Sequence, residues 1–141
     1  MAIINSRLSL RSSNLFKNSI SQRHDRSFRV ESLVESGTRL ITATSGASPY
    51  TLVDGTDYYD SSESGDTANQ VFVFIRNTAS TAKKTITVQF NDGTNKQDVM
   101  TLNTGEYALF PWKCAAAAED IEVFSNDSDG VRVEFIVSPM Q

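Results

Sequence analysis

The chain has 141 residues, one cysteine and a formal net charge of −4, which suits one domain with one core and excludes an internal disulfide. The charge is divided: residues 1–29 carry six basic side chains and one acid, and the remainder carries sixteen acids and seven bases. The strongest apolar run, Val71 to Ile75, is far below the ~18 residues of a membrane-spanning helix, so no membrane partner is expected.

Residues 1–26 are predicted to be an extended basic arm. Serines at 6, 9, 12, 13, 19 and 21 alternate with single apolar residues, the composition of a ribbon lying on another surface, with a reach of roughly 85 Å if fully extended. An Arg- and Ser-rich, acid-poor start also suits an organellar transit peptide. Ile3, Ile4, Leu8, Leu10, Leu15, Phe16 and Ile20 nevertheless scatter around a helical wheel, so the amphipathic helix such a peptide needs is weak.

From residue 27 onward a β-sandwich is predicted. Phe28 to Val34 reads as its first strand, Leu40 to Thr44 as a second with Gly37 between them, and Pro49 to Val53 as a short third. Residues 54–69 form a polar loop of a length usually kept for function or contacts. Val71 to Ile75 is apolar on both faces, which suits a central strand or one held between layers. In Thr85 to Phe90, Ile86, Val88 and Phe90 alternate with polar residues, as in a strand wet on one side. Asn91-Asp92-Gly93 is a hairpin signal leading to Gln97–Leu102. Asn103-Thr104-Gly105 reverses the chain into Tyr107–Phe110, which Pro111 stops. A final hairpin is expected between Ile121–Phe124 and Val131–Val137, with Val131, Val133, Phe135 and Val137 on one face. Ala115 to Asp120 is the one candidate helical turn, bridging two halves of the sheet. Eight or nine short strands with no longer helix predict an all-β antiparallel sandwich, jelly-roll-like.

Residue types that carry chemistry are sparse. His24 is the only histidine and lies in the arm beside Asp25, where no rigid nucleophile and acid surround it, so no catalytic residue is assigned and no enzyme is expected. One His and one Cys do not complete a zinc set, and Cys114, beside Trp112 and Ala115 to Ala118, reads as a small packed hydrophobe. Asp54, Asp57, Asp60, Glu63 and Asp66, and the turn Asp127, Asp129, Gly130, supply oxygen ligands for calcium without EF-hand spacing. The same residues are what β-turns require, so no metal or other cofactor is expected. Asn126-Asp127-Ser128 also fits a glycosylation sequon.

Arg7, Arg11, Lys17, Arg23 and Arg26 are the candidate partner-binding residues of the arm. Their spacing among serines and aliphatics, without an aromatic platform, favours an acidic protein surface over nucleic acid, including the acidic body of a second copy. Tyr50, Tyr58, Tyr59, Tyr107 and Trp112 are the side chains that could stack on a sugar; of these, Tyr58 and Tyr59 in the 54–69 loop are the pair expected to be exposed.

Val71 to Thr78 ending in Arg-Asn-Thr, the Ile86 to Phe90 strand with its Asp-Gly, and Leu-x-x-Gly-Glu at Leu102 to Glu106 come in a recognisable order. With the Phe110-Pro111-Trp112 corner and the closing strands, this half of the chain resembles small all-β structural proteins of tailed bacteriophages, which cement or decorate capsids or sit at the neck and tail. The resemblance implies a non-catalytic virion component on the capsid surface. Its arm would tie the domain to major capsid protein subunits or other virion proteins, and it would associate as a dimer or trimer. A neck or tail component and a carbohydrate-binding receptor module are the alternative readings.

Overall fold

A computed structural model describes residues 2–12, 20–30, 35–65 and 68–140. Lys17, Asp66, Phe16, Leu33 and Val34 lie outside the described residues.

The described residues form ten strands: β1 (Ala2–Ser12), β2 (Ile20–Val30), β3 (Glu35–Ile41), β4 (Tyr50–Val53), β5 (Gln70–Asn77), β6 (Ile86–Asn91), β7 (Lys96–Leu102), β8 (Tyr107–Lys113), β9 (Asp120–Ser125) and β10 (Val131–Pro139). The last eight make two four-stranded sheets, in the orders β3-β10-β5-β8 and β4-β9-β6-β7. Every pairing is antiparallel. The pairs β3–β10, β4–β9, β5–β8 and β6–β7 are nested about the β6–β7 turn, so the domain is one long ribbon folded at its middle and rolled into two layers. This is the jelly-roll arrangement, as the sequence predicts.

The core lies between the layers and follows from strand alternation. Val131, Val133, Phe135 and Val137 on β10 are at most 3% exposed, lie beside Val71, Val73 and Ile75 of the neighbouring β5, and face Ile86 and Val88 of β6 and Ile121 and Val123 of β9 in the other layer, all buried. Trp112 and Cys114 complete the cluster. Among the described residues no helix is long and apolar enough to cross a membrane.

Four expectations are corrected. The N-terminal arm is not one extended ribbon: β1 and β2 fold back on each other as a separate two-stranded sheet, from Ala2 opposite Val30 to Ser12 opposite Ile20. Phe28 therefore belongs to this hairpin, and the first sandwich strand starts at Glu35 with Gly37 inside it, opposite Phe135. The closing β9–β10 hairpin does not form, because the two strands lie in opposite sheets. Their apolar faces pack against each other across the core, and the Ser125–Gly130 segment is a corner between layers. Pro111 does not stop β8. It sits within that strand opposite Phe72, at the sheet edge where a missing N–H costs no ladder bond.

Candidate interaction surfaces

Because side chains alternate along a strand, the hairpin register Arg7 opposite Asp25 gathers described residues of one parity on one face: Asn5, Arg7, Arg23, Asp25 and Ser27, with Ile3 at its end. This face is polar and bonded across the strands. Arg7 Nε donates to Asp25 Oδ1 at 2.9 Å, Arg23 Nε to Asp25 Oδ2 at 2.8 Å, and Ser27 Oγ to Asn5 Oδ1 at 2.7 Å. The hydrogen bond from Arg23, reinforced by Arg7, holds the Asp25 carboxyl below the usual aspartate range. All three side chains are at least half exposed, so these pairs set register and add little stability.

Of the predicted arm residues, Arg7 and Arg23 meet on one face about Asp25, and the side chains of Arg11, Lys17 and Arg26 lie outside the described ones. Hydrophobic periodicity of two at Ile4, Leu8 and Leu10, masked by Ser6 and Ile3, was the signal for β1 that sequence reasoning passed over.

The 54–69 loop is tied down rather than free. Asp54 accepts from Thr56 N at 2.9 Å and from its hydroxyl at 2.6 Å, capping a single 3-10 turn at Gly55–Asp57. Asp60 does the same for Ser62, at 2.8 Å and 2.7 Å. Asn69, at φ +56, closes the loop: its Oδ1 accepts from Asp60 N, its Nδ2 donates to Asp60 O, and its own N–H donates to Glu63 Oε2. Asn is one of the few residues with a side chain that adopt such a φ cheaply.

Tyr58 and Tyr59 do not stand out from this loop. Both are half-buried against the core, and burial, with Glu35 and Asp57 nearby, pushes the Tyr58 phenol up to about 12. They line one wall of a polar groove with Asp60, Glu63 and Met140. The most exposed of the five aromatics considered from sequence is Tyr107, 57% open.

Of the acidic residues considered as calcium ligands, Asp54, Asp60 and Asp127 serve turns. Asp127 accepts from Asp129 N at 2.9 Å and pairs with Lys84 Nζ at 2.8 Å, and Asn126 bonds Lys83 O and Thr85 N through its amide. Among the described residues no group of three or more His, Cys, Asp or Glu side chains could hold a metal ion. Burial, with Glu119 nearby, raises the Cys114 thiol above its ordinary value, and its Sγ points at Ala116 O, 3.2 Å away.

Two sheet faces carry features that sequence reasoning missed. On the outer face of the β4-β9-β6-β7 sheet, Glu122 is 4% exposed and receives Lys96 Nζ at 3.0 Å and Asn91 Nδ2 at 3.3 Å on Oε1. On the outer face of the other sheet, Ile136, Phe74 and Leu109 stand directly opposite one another across β10, β5 and β8. Phe74 packs beside Tyr107, ring centroids 6.1 Å apart, and over Phe72, which is 1% exposed. The two-sided apolar character of Val71 to Ile75 was the signal for this row. One side fills the core, and on the other Phe72 is buried beneath Phe74 and Met140.

Comparison of the chain with protein families, with characterised proteins and with solved structures finds no match.

Proposed function

We propose that this chain is a structural protein of a virion, a capsid cement or decoration protein that stabilises the shell by bridging major capsid protein subunits. The observation that carries the reading is the N-terminal hairpin. Among the described residues it is a two-stranded ribbon of eleven-residue strands that pairs with no strand of the sandwich, and a lone hairpin of this kind is marginal in water. A chain that sets two eleven-residue strands apart from its two sheets uses them to reach something else.

The jelly roll is shared by capsid and lectin domains and supports the reading only as analogy of fold. The order of motifs from Val71 to Val137 supports it as resemblance. In this role the polar face of the ribbon, with Arg7 and Arg23, meets acidic groups of the shell, while the sandwich sits on the capsid surface. Each such contact binds the assembled state alone and so favours it. No catalytic step and no cofactor is part of the role.

The test is composition and strength of virus particles made by the genome that encodes the chain. The expected result is many copies per particle, and particles made without it that burst at lower temperature. Absence from purified particles overturns the proposal. A few copies confined to one vertex would overturn the cement role in favour of a neck or tail component.

A further inference from the structure

We propose that the free edge of β3 is an interface between two copies of this chain, which pair β3 with β3 antiparallel about a two-fold axis at Gly37 and so join their β3-β10-β5-β8 sheets edge to edge. The inference does not rest on the shell-binding role. It starts from the edges of the sandwich, which are β3 and β8 in one layer and β4 and β7 in the other. Three of these are blunted. Edge β8 carries Pro111, which offers no N–H. The β4 strand has four residues and an irregular register, and β7 pairs with β6 across a register shift and carries Lys96. Among the described residues, β3 is the edge that is at once long, regular and free of proline. Its register with β10 runs unbroken from Ile41 opposite Val131 to Glu35 opposite Val137, and Glu35 to Leu40 are all exposed. Such an edge presents a row of unpaired N–H and C=O groups, a template for another strand.

The occupant is argued from two observations. First, β3 is complementary in charge to itself. In an antiparallel pair centred on Gly37, Glu35 of each copy stands opposite Arg39 of the other and Ser36 opposite Thr38, so this register makes a cross-strand ion pair on each side of the axis. Moving the centre to Ser36 or to Thr38 makes none. Within one chain the two charges are loosely matched: Arg39 Nη2 lies 4.0 Å from Glu35 Oε1, both side chains about half exposed, and the guanidinium rests over the Tyr50 ring, 5.4 Å from its centroid. Second, nothing inside the chain requires a glycine at 37. Its φ is not in the left-handed region, and a Cβ there would meet Phe135 Cε1 at 4.0 Å, an ordinary contact. Glycine weakens a strand interior, and one of its recurring uses there is the close approach of another backbone. The axis of the pair is where that approach falls.

A contact that uses the same patch twice is isologous, so it closes at two copies. Pairing also removes the open edge on which further chains would otherwise stack. The dimer carries two N-terminal hairpins, and a particle subunit gripped by each would be bridged through the joined sheet.

The experiment uses the full chain in sedimentation and in oxidative cross-linking. The wild-type chain is expected to sediment as a dimer. Glu35→Arg and Arg39→Glu each set like charges opposite one another on both sides of the axis, and each is expected to weaken dimerisation roughly tenfold or more with circular dichroism unchanged. The chain carrying both substitutions, and an equimolar mixture of the two single variants, are expected to recover the dimer, because opposite charges face each other again. In oxidation, Gly37→Cys chains are expected to cross-link to one another, and Thr38→Cys chains to Ser36→Cys chains but not to themselves; Cys114 is buried and takes no part. A monomeric wild-type chain, a dimer indifferent to both charge reversals, or Thr38→Cys chains that cross-link to one another while Gly37→Cys chains do not would overturn the inference. These results are read on the isolated chain and the shell-binding role on particles, so either fails without the other.

Discussion

Asn77 shows how much of this fold hangs on single polar side chains. It is fully buried at the end of β5, where its Nδ2 donates to Lys84 O at 2.9 Å and to Leu102 O at 3.0 Å, and its Oδ1 accepts from Ala79 N at 3.0 Å. Its backbone bonds Glu106 O and Gly105 N. One residue therefore fastens the β5–β6 connection to the corner between β7 and β8. Asn77→Ala removes all three side-chain bonds; Lys84 O keeps the Thr104 hydroxyl at 3.3 Å, and each group left buried without a partner costs roughly 1–3 kcal/mol. Loss of about 2–5 kcal/mol in urea denaturation is the expected outcome; an unchanged midpoint would mean that the bracket carries no weight. The Arg76-Asn77-Thr78 and Leu102-to-Glu106 segments, which carry part of the phage resemblance, are thus joined physically. That they are prominent was legible in the sequence. That they touch was not, because the partners of a buried amide lie 7 and 25 residues away.

The β6–β7 and β7–β8 turns, whose definition is local, were read correctly, and elements that depend on the layering were not. The β6–β7 turn is local: Asp92 N donates to Asn95 O, and its carboxylate accepts from Thr94 N and Asn95 N at 2.8 Å and 2.6 Å. Gly93 there has φ +86, the reason Asp-Gly announces a reversal. What the sequence hides is the neighbour, since a Cβ on Gly93 would come 2.8 Å from Ala118 Cβ on the β8–β9 connection. Gly105 has a similar φ of +83 with nothing within 4 Å. Gly105→Ala therefore pays for backbone conformation alone, about 1 kcal/mol, whereas Gly93→Ala adds displacement of the β8–β9 connection and costs about 2–3 kcal/mol. Thermal melts of the two variants decide the matter, and equal losses would show that the Gly93 contact relaxes freely. By contrast, the β9–β10 corner and the N-terminal hairpin depend on which layer each strand joins. Residues 13–19 contain neither Gly nor Pro, and their Asn and Ser residues suit turns and extended polar chain alike, while the turn residues at 126–130 serve a hairpin and a corner equally well.

At the scale of the whole molecule, acid should loosen the sandwich at several connections together. Asp54 before the 3-10 turn, Asp60 in the long loop, Asp92 in the β6–β7 turn and Asp127 at the β9–β10 corner all have carboxyls held below the ordinary aspartate range. The causes are chiefly hydrogen bonds from Thr56, Ser62, Asn95 and Lys84 respectively. A carboxyl depressed in the folded state contributes its full stability above the unfolded value, about 3.9, and loses it as pH falls through the folded value. Stability should therefore be level from neutral pH to about 5 and fall below about 4. An opposing effect exists, because protonation also relieves repulsion among the sixteen acids of residues 30–141. The turn bonds are short, 2.6–2.9 Å, while exposed charges farther apart than about 10 Å are screened at 0.1 M salt. The turns therefore decide the sign at that ionic strength, and lowering the salt should flatten the acid limb by strengthening the repulsion that protonation removes. Denaturant midpoints measured from pH 7 to pH 3 at two salt concentrations test this. A midpoint that rises on acidification at 0.1 M salt would show that these aspartates do not hold the corners of the roll.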